Sequence, residues 1–108
     1  MDENVAKVAR LHVRNMVTEG FFGHKGVDGS TVDGRAEIFG IIDWSAIAEN
    51  IAFVKSRTDP ARSVVEKWLS SPPHRRNILG SHWTSSAVAV GVSDDGSLYF
   101  AQVFLSNR

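Results

Sequence analysis

The chain has 108 residues, the length of one domain with a real but modest core. Lys plus Arg number 12 and Asp plus Glu number 12, which excludes a nucleic-acid or anionic-membrane protein acting through a global basic field. Apolar residues at 43% and charged residues at 22% exclude disorder, and the lack of cysteine excludes disulfides, thiolate-bound zinc and a thiol nucleophile.

Val5, Val8, Ala9, His12, Val13, Met16 and Val17 recur at helical spacing, predicting a helix from about Glu3 to Glu19 closed by Gly20. Its apolar stripe makes His12 a buried or boundary histidine, not a ligand. Phe21 and Phe22 pack down, and Gly23 to Gly34 reads as a polar loop whose Gly26 to Gly34 stretch suits a mobile edge. Arg35 to Phe39 reads as a short helical turn before Gly40. Asn50 to Val54 reads as a brief strand.

Asp59 and Pro60 punctuate the start of a second long helix, with Val64, Val65, Trp68 and Leu69 as its buried stripe. Ser71 caps a third helix that runs through His74 to Leu79 and closes at Gly80. Ala87 to Val92 and Leu98 to Phe104 form a hairpin about Ser93-Asp94-Asp95-Gly96-Ser97, whose two acids are too few for a calcium loop. These strands are apolar at nearly every position, so both faces of the sheet call for cover and the architecture is three-layered. Two long helices scarcely supply both outer layers.

Three segments set polar residues in apolar surroundings: Gly20 to His24, Ala48 to Ala52, and Trp68 to Leu79. A carboxylate at Glu49, between small and apolar neighbours, needs a histidine, an arginine or a cation beside it. The natural partners are His24 and His74. Asn50 and Asn77 are expected to make backbone hydrogen bonds that fix the flanking loops. One of Arg75 and Arg76 is expected to meet an acid or a carbonyl, and His82 to be solvated.

Taken in order, Ala9 to Met16, Gly20-Phe21-Phe22-Gly23-His24, Ala48-Glu49-Asn50-Ile51, Trp68 through Ser71-Pro72-Pro73-His74-Arg75-Arg76-Asn77-Ile78-Leu79, Val90-Gly91-Val92 and Gln102-Val103-Phe104 resemble the CAP superfamily. That group takes in cysteine-rich secretory proteins, antigen 5 and pathogenesis-related proteins; the bacterial, disulfide-free type is the nearer pattern. The resemblance runs from about Val5 to Phe104. It implies a single CAP domain over 1–108, of α+β class: a three-layer α-β-α sandwich with a central antiparallel sheet, lacking the family's first helix. That shortage makes a dimer or other homo-oligomer an expectation.

The resemblance also implies a cleft lined by His24, Glu49 and His74, with Ser71 where the eukaryotic pattern has a second acid. Losing that acid puts a four-residue site in doubt. Two readings stay open: Zn²⁺ or another divalent cation held by His24, His74 and Glu49, or a metal-free polar cluster. Phe21, Phe22, Trp44 and Trp83 are candidate rim residues, each weighed against a core role. The preferred function is a non-enzymatic, extracellular or cell-envelope binding module for a lipid, glycan, peptide or protein ligand, with no nucleic-acid partner. The localisation rests on resemblance, since Met1-Asp2-Glu3 leads directly into the helix without a signal peptide. The alternative is a metal-dependent, peptidase-like hydrolase using His24 and His74 with Glu49 as catalytic base. No HExxH or GxSxG pattern supports it, and Ser70 and Ser71 read as helix punctuation.

Overall fold

A computed structural model describes residues 2–55 and 58–108. The first helix, α1 (Glu3–Glu19), has the predicted bounds. The Asp2 carboxylate accepts from the amides of Asn4 and Val5 at 2.9 and 3.2 Å, filling donors that the first turn leaves open. At the other end Gly20 takes φ 68° and its N–H donates to the Met16 carbonyl.

Next comes α2 (Val32–Ile38), which starts three residues before the predicted turn and ends one residue short of it. Its first turn falls in the stretch read as loop from its glycine and polar content. Burial of Arg35 and Ala36 overrides that composition. The strand predicted at Asn50–Val54 extends to β1 (Trp44–Val54), because it pairs along almost its whole length with the last strand.

Helix α3 (Pro60–Leu69) follows Asp59, whose side chain accepts from the Arg62 amide at 3.3 Å. Helix α4 (Pro72–Leu79) follows Ser71, which occupies the capping position without its hydroxyl making the cap bond. The hairpin of β2 (Ser85–Val92) and β3 (Leu98–Asn107) completes a three-stranded antiparallel sheet of order β1-β3-β2. The outermost strands are thus β1 and β2.

The sheet separates two apolar clusters. On one face Val5, Val8, Ala9, Val13 and Met16 of α1 meet Ile51, Ala87, Ala89, Ala101, Val103 and Leu105. Small strand residues let the helix sit close, and at Gly91 a Cβ would overlap the Val13 side chain. On the opposite face Ala52, Val54 and Phe100 pack with Val64 and Trp68 of α3. Cover of both faces holds near β1 and gives out at β2. There the strand alternates, with Ala87 and Ala89 buried while Val88, Val90 and Val92 are 42%, 55% and 62% exposed.

Candidate functional site

Glu49 and Asn50 are neighbours on β1, so their side chains leave opposite faces of the sheet. Glu49 enters the α1 and α2 side, where its side chain is 2% exposed. Its carboxylate receives Arg35 Nη2 at both oxygens, 3.2 Å to Oε1 and 3.0 Å to Oε2. His24 Nδ1 lies 2.9 Å from Oε1, and His12 Nε2 lies 3.7 Å from the same oxygen. Arg35, itself 1% exposed, also donates to the carbonyls of His24 at 3.0 Å and Ser30 at 3.1 Å. His12 Nε2 contacts the Gly23 carbonyl at 2.7 Å. One guanidinium and one imidazole therefore hold the loop that carries His24.

Burial pushes the His12 pKa down, and the nearby Arg35 cation adds to this while the Glu49 carboxylate opposes it. His12 is accordingly neutral near pH 7. Its Nδ1 and Arg35 Nε are buried without a hydrogen-bond partner among the described residues.

Asn50 enters the opposite side and joins β1 to α4. Its Nδ2 donates to the His74 carbonyl at 3.1 Å, and its Oδ1 accepts from Asn77 Nδ2 at 2.8 Å. The backbone bond expected of Asn50 is present, whereas the Asn77 side chain bonds a side chain. Asn77 instead uses its carbonyl to accept from the Trp83 indole at 2.7 Å. His74 Nδ1 lies 2.9 Å from Ser71 Oγ. Burial lowers the His74 pKa, with repulsion from His24 adding to it.

A cleft of about 500 Å³ lies along the outer edge of β1, lined by Gly23, His24, Ile51, Phe53, Lys67 and His74, among others. Lys67 Nζ donates to the Phe53 carbonyl at 3.3 Å and the Trp68 indole to the Ile51 carbonyl at 2.9 Å, so α3 covers main-chain acceptors of this edge. Phe22 also lines the cleft, half exposed, and stacks at 6.1 Å on Phe53, which meets Tyr99 at 5.0 Å.

The predicted residues are thus divided. His24 and His74 face one cleft, Ser71 supports His74, and Glu49 lies buried behind His24. The pairing of Glu49 with His24 is present; its expected pairing with His74 is replaced by Arg35 and His12, since strand alternation sends Glu49 away from α4. Of the four candidate rim aromatics only Phe22 lines this cleft. Phe21 and Trp44 pack against the α1 cluster, and Trp83 stacks between His82 and Phe104. His82 is exposed as expected, and neither Arg75 nor Arg76 forms an ion pair among the described residues.

Sequence reading missed Arg35 and Phe53. The carboxylate's need for a cation is the signal for Arg35, but that residue stands next to a glycine-rich stretch that reads as solvated. A metal is a separate matter. Among the described residues no group of three His, Asp or Glu side chains is clustered to hold an ion. Glu49 already has both oxygens on Arg35, so the set of His24, His74 and Glu49 does not fit a three-ligand centre.

A helix-covered antiparallel sheet, with a cleft at its edge faced by one histidine from a loop and one from α4, defines a small α+β sandwich of the SCP type. Residues 1–104 match the CAP family, the cysteine-rich secretory protein family, and the chain belongs to it. It is 31% identical over 102 residues to the uncharacterized protein YkwD of Bacillus subtilis, covering 94% of this chain and 37% of that protein. It is 34% identical over 89 residues to the uncharacterized membrane protein YlbC of the same organism, covering 82% of this chain and 25% of that one. The chain therefore spans between a quarter and two-fifths of the length of these relatives. Among solved structures, an outer surface protein of Borrelia burgdorferi superposes with a TM-score of 0.86 at 19% identity, covering 99% of this chain and 76% of that one. An extracellular SCP-domain protein of Bacillus anthracis gives 0.77 at 26% identity, covering 98% and 33%.

Proposed function

We propose that this CAP domain is a non-enzymatic binding module whose ligand is an amphiphile, lipid-like in its apolar part, seated in the cleft at the edge of β1. The observation that carries this reading is the lining. Phe22, Ile51, Ala52 and Phe53 offer an apolar floor, and the imidazoles of His24 and His74 stand at its polar end. Burial of the Glu49 carboxylate against Arg35 removes it from reach as a general base for a substrate in the cleft, which weighs against the hydrolase. The described relatives at outer surfaces and outside the cell support an extracellular or cell-envelope location. Among the described residues no helix is long and apolar enough to cross a membrane.

Trp68 reports on the cleft, because its indole bonds the Ile51 carbonyl that lies beneath it. Titration with decanol and with decanoate, followed by tryptophan fluorescence, tests the reading. Saturable binding of either, weakened tenfold or more by Phe53→Ala, is the expected result. Absence of a saturable change with both probes sinks it.

A second reading is favoured by the two histidines facing one cleft. Zn²⁺ would be held by His24 and His74 alone, with other positions open, while Glu49 orients His24 from behind. Zinc calorimetry on the wild type and on His74→Ala checks it: equal heats remove the metal.

A further inference from the structure

We infer that Arg35 is a positioning residue that fixes which nitrogen of His24 faces the cleft. Glu49 lies with its side chain 2% exposed, where a lone carboxylate would be costly, and Arg35 supplies the compensating cation through contacts of 3.2 and 3.0 Å. Held in this way, the carboxylate is an acceptor at Oε1 for a third group, and His24 Nδ1 stands there at 2.9 Å. An ionised carboxylate accepts only, so Nδ1 carries the proton. In neutral His24 the lone pair is then on Nε2, the nitrogen on the far side of the ring from Glu49.

Arg35 acts on His24 a second time through the backbone. It bonds the His24 carbonyl and, five residues upstream of itself, the Ser30 carbonyl, which fixes both ends of the loop. Because His24 is more than half exposed (55%), packing alone does not choose its tautomer, and the buried pair beneath it does. The cleft consequently receives an acceptor from His24, suited to a hydroxyl head group or a metal cation. This deepens the proposed function and rests on it only for the use made of Nε2.

Nitrogen-15 NMR of the imidazole rings at about pH 8, where histidine side chains are neutral, reads the tautomer directly and needs no ligand. The wild type is expected to show His24 protonated at Nδ1. Arg35→Lys keeps a charge but loses the planar fork, whose Nη1 holds the Ser30 carbonyl while Nη2 holds Glu49 and the His24 carbonyl. It is expected to shift His24 toward the Nε2-protonated form while the amide spectrum of α1 and the sheet stays wild-type. If Arg35→Lys does not fold, Arg35→Gln with Glu49 kept is read in the same way, and the same shift is expected there. A wild-type His24 protonated at Nε2, or a variant that keeps the Nδ1 form, overturns the inference. Failure of decanol, decanoate and zinc to bind, with the Nδ1 form intact, removes the cleft reading alone.

Discussion

Glu49 is the residue on which most of the polar interior turns, and it was conspicuous in the sequence because an acid between alanines and an isoleucine-bearing strand needs a partner. Its partner His24 was legible, and its partner Arg35 was not. Pairing with Arg35 depends on how residues 23–35 fold back over α1, and composition describes that stretch only as polar and glycine-rich. Glu49→Gln leaves a buried guanidinium without its counter-charge, so a loss of about 3–5 kcal/mol is expected in urea unfolding. Arg35→Met alone should cost a similar amount, and the double variant should recover much of it. Summed single effects in the double variant would show that the two side chains are not coupled. His12 and His74 both shape the pH response in the histidine range, and His12 is the more deeply buried of the two. Its folded pKa is lowered by burial, so below about pH 6.5 the unfolded chain takes up a proton that the folded chain resists. Stability is therefore full above that value and falls as the pH drops through it. His12→Gln should reduce this slope in thermal melts collected between about pH 7.5 and 5, leaving the share that His74 contributes.

At the scale of elements, the long helix was readable from its apolar stripe and from Gly20, and the hairpin from Asp95 and Gly96 in its turn. Asp95 shows how strong such punctuation is. The Ser93 hydroxyl and the Ser97 amide hold its carboxylate at about 2. The span of β1 was not readable to the same degree, because residues 44–49 become strand through pairing with β3, a contact across more than fifty residues of chain. Close approach of α1 to β2 is equally non-local. Gly91→Ala should destabilise by about 1–3 kcal/mol in denaturant titration, since its new methyl meets Val13. Adding Val13→Ala should restore a good part of the loss. A Gly91→Ala variant as stable as the wild type would show that α1 can move away at little cost.

Across the whole molecule the sheet is covered unequally. Near β1 it has helices on both sides, and at β2 one side carries exposed Val88, Val90 and Val92. The unbroken apolar run from Ala87 to Val92 suggested burial on both faces, but alternation of buried alanines with exposed valines is what the strand adopts. Valine in this run reflects strand propensity as well as burial. Val88→Thr with Val90→Thr should accordingly change the stability of the isolated chain by no more than about 0.5 kcal/mol per site. Ala89→Thr, which places a hydroxyl under α1, should cost more than either. Chemical denaturation of the three variants makes the comparison; a large loss from the valine pair would mean that this face is covered in solution.

The opposite destinations of Glu49 and Asn50 also act as a check on assembly. Because strand side chains alternate with a period of two, sliding β1 by one residue against β3 would exchange them. The carboxylate would then meet the His74 carbonyl instead of a guanidinium, and the amide would be left beside Arg35 with no charge to offer. Apolar neighbours on this strand tolerate such an error far better, since Ile51 and Ala52 find hydrocarbon on either side. Two adjacent polar residues, each matched to a different layer, thus penalise a misaligned strand from both faces at once.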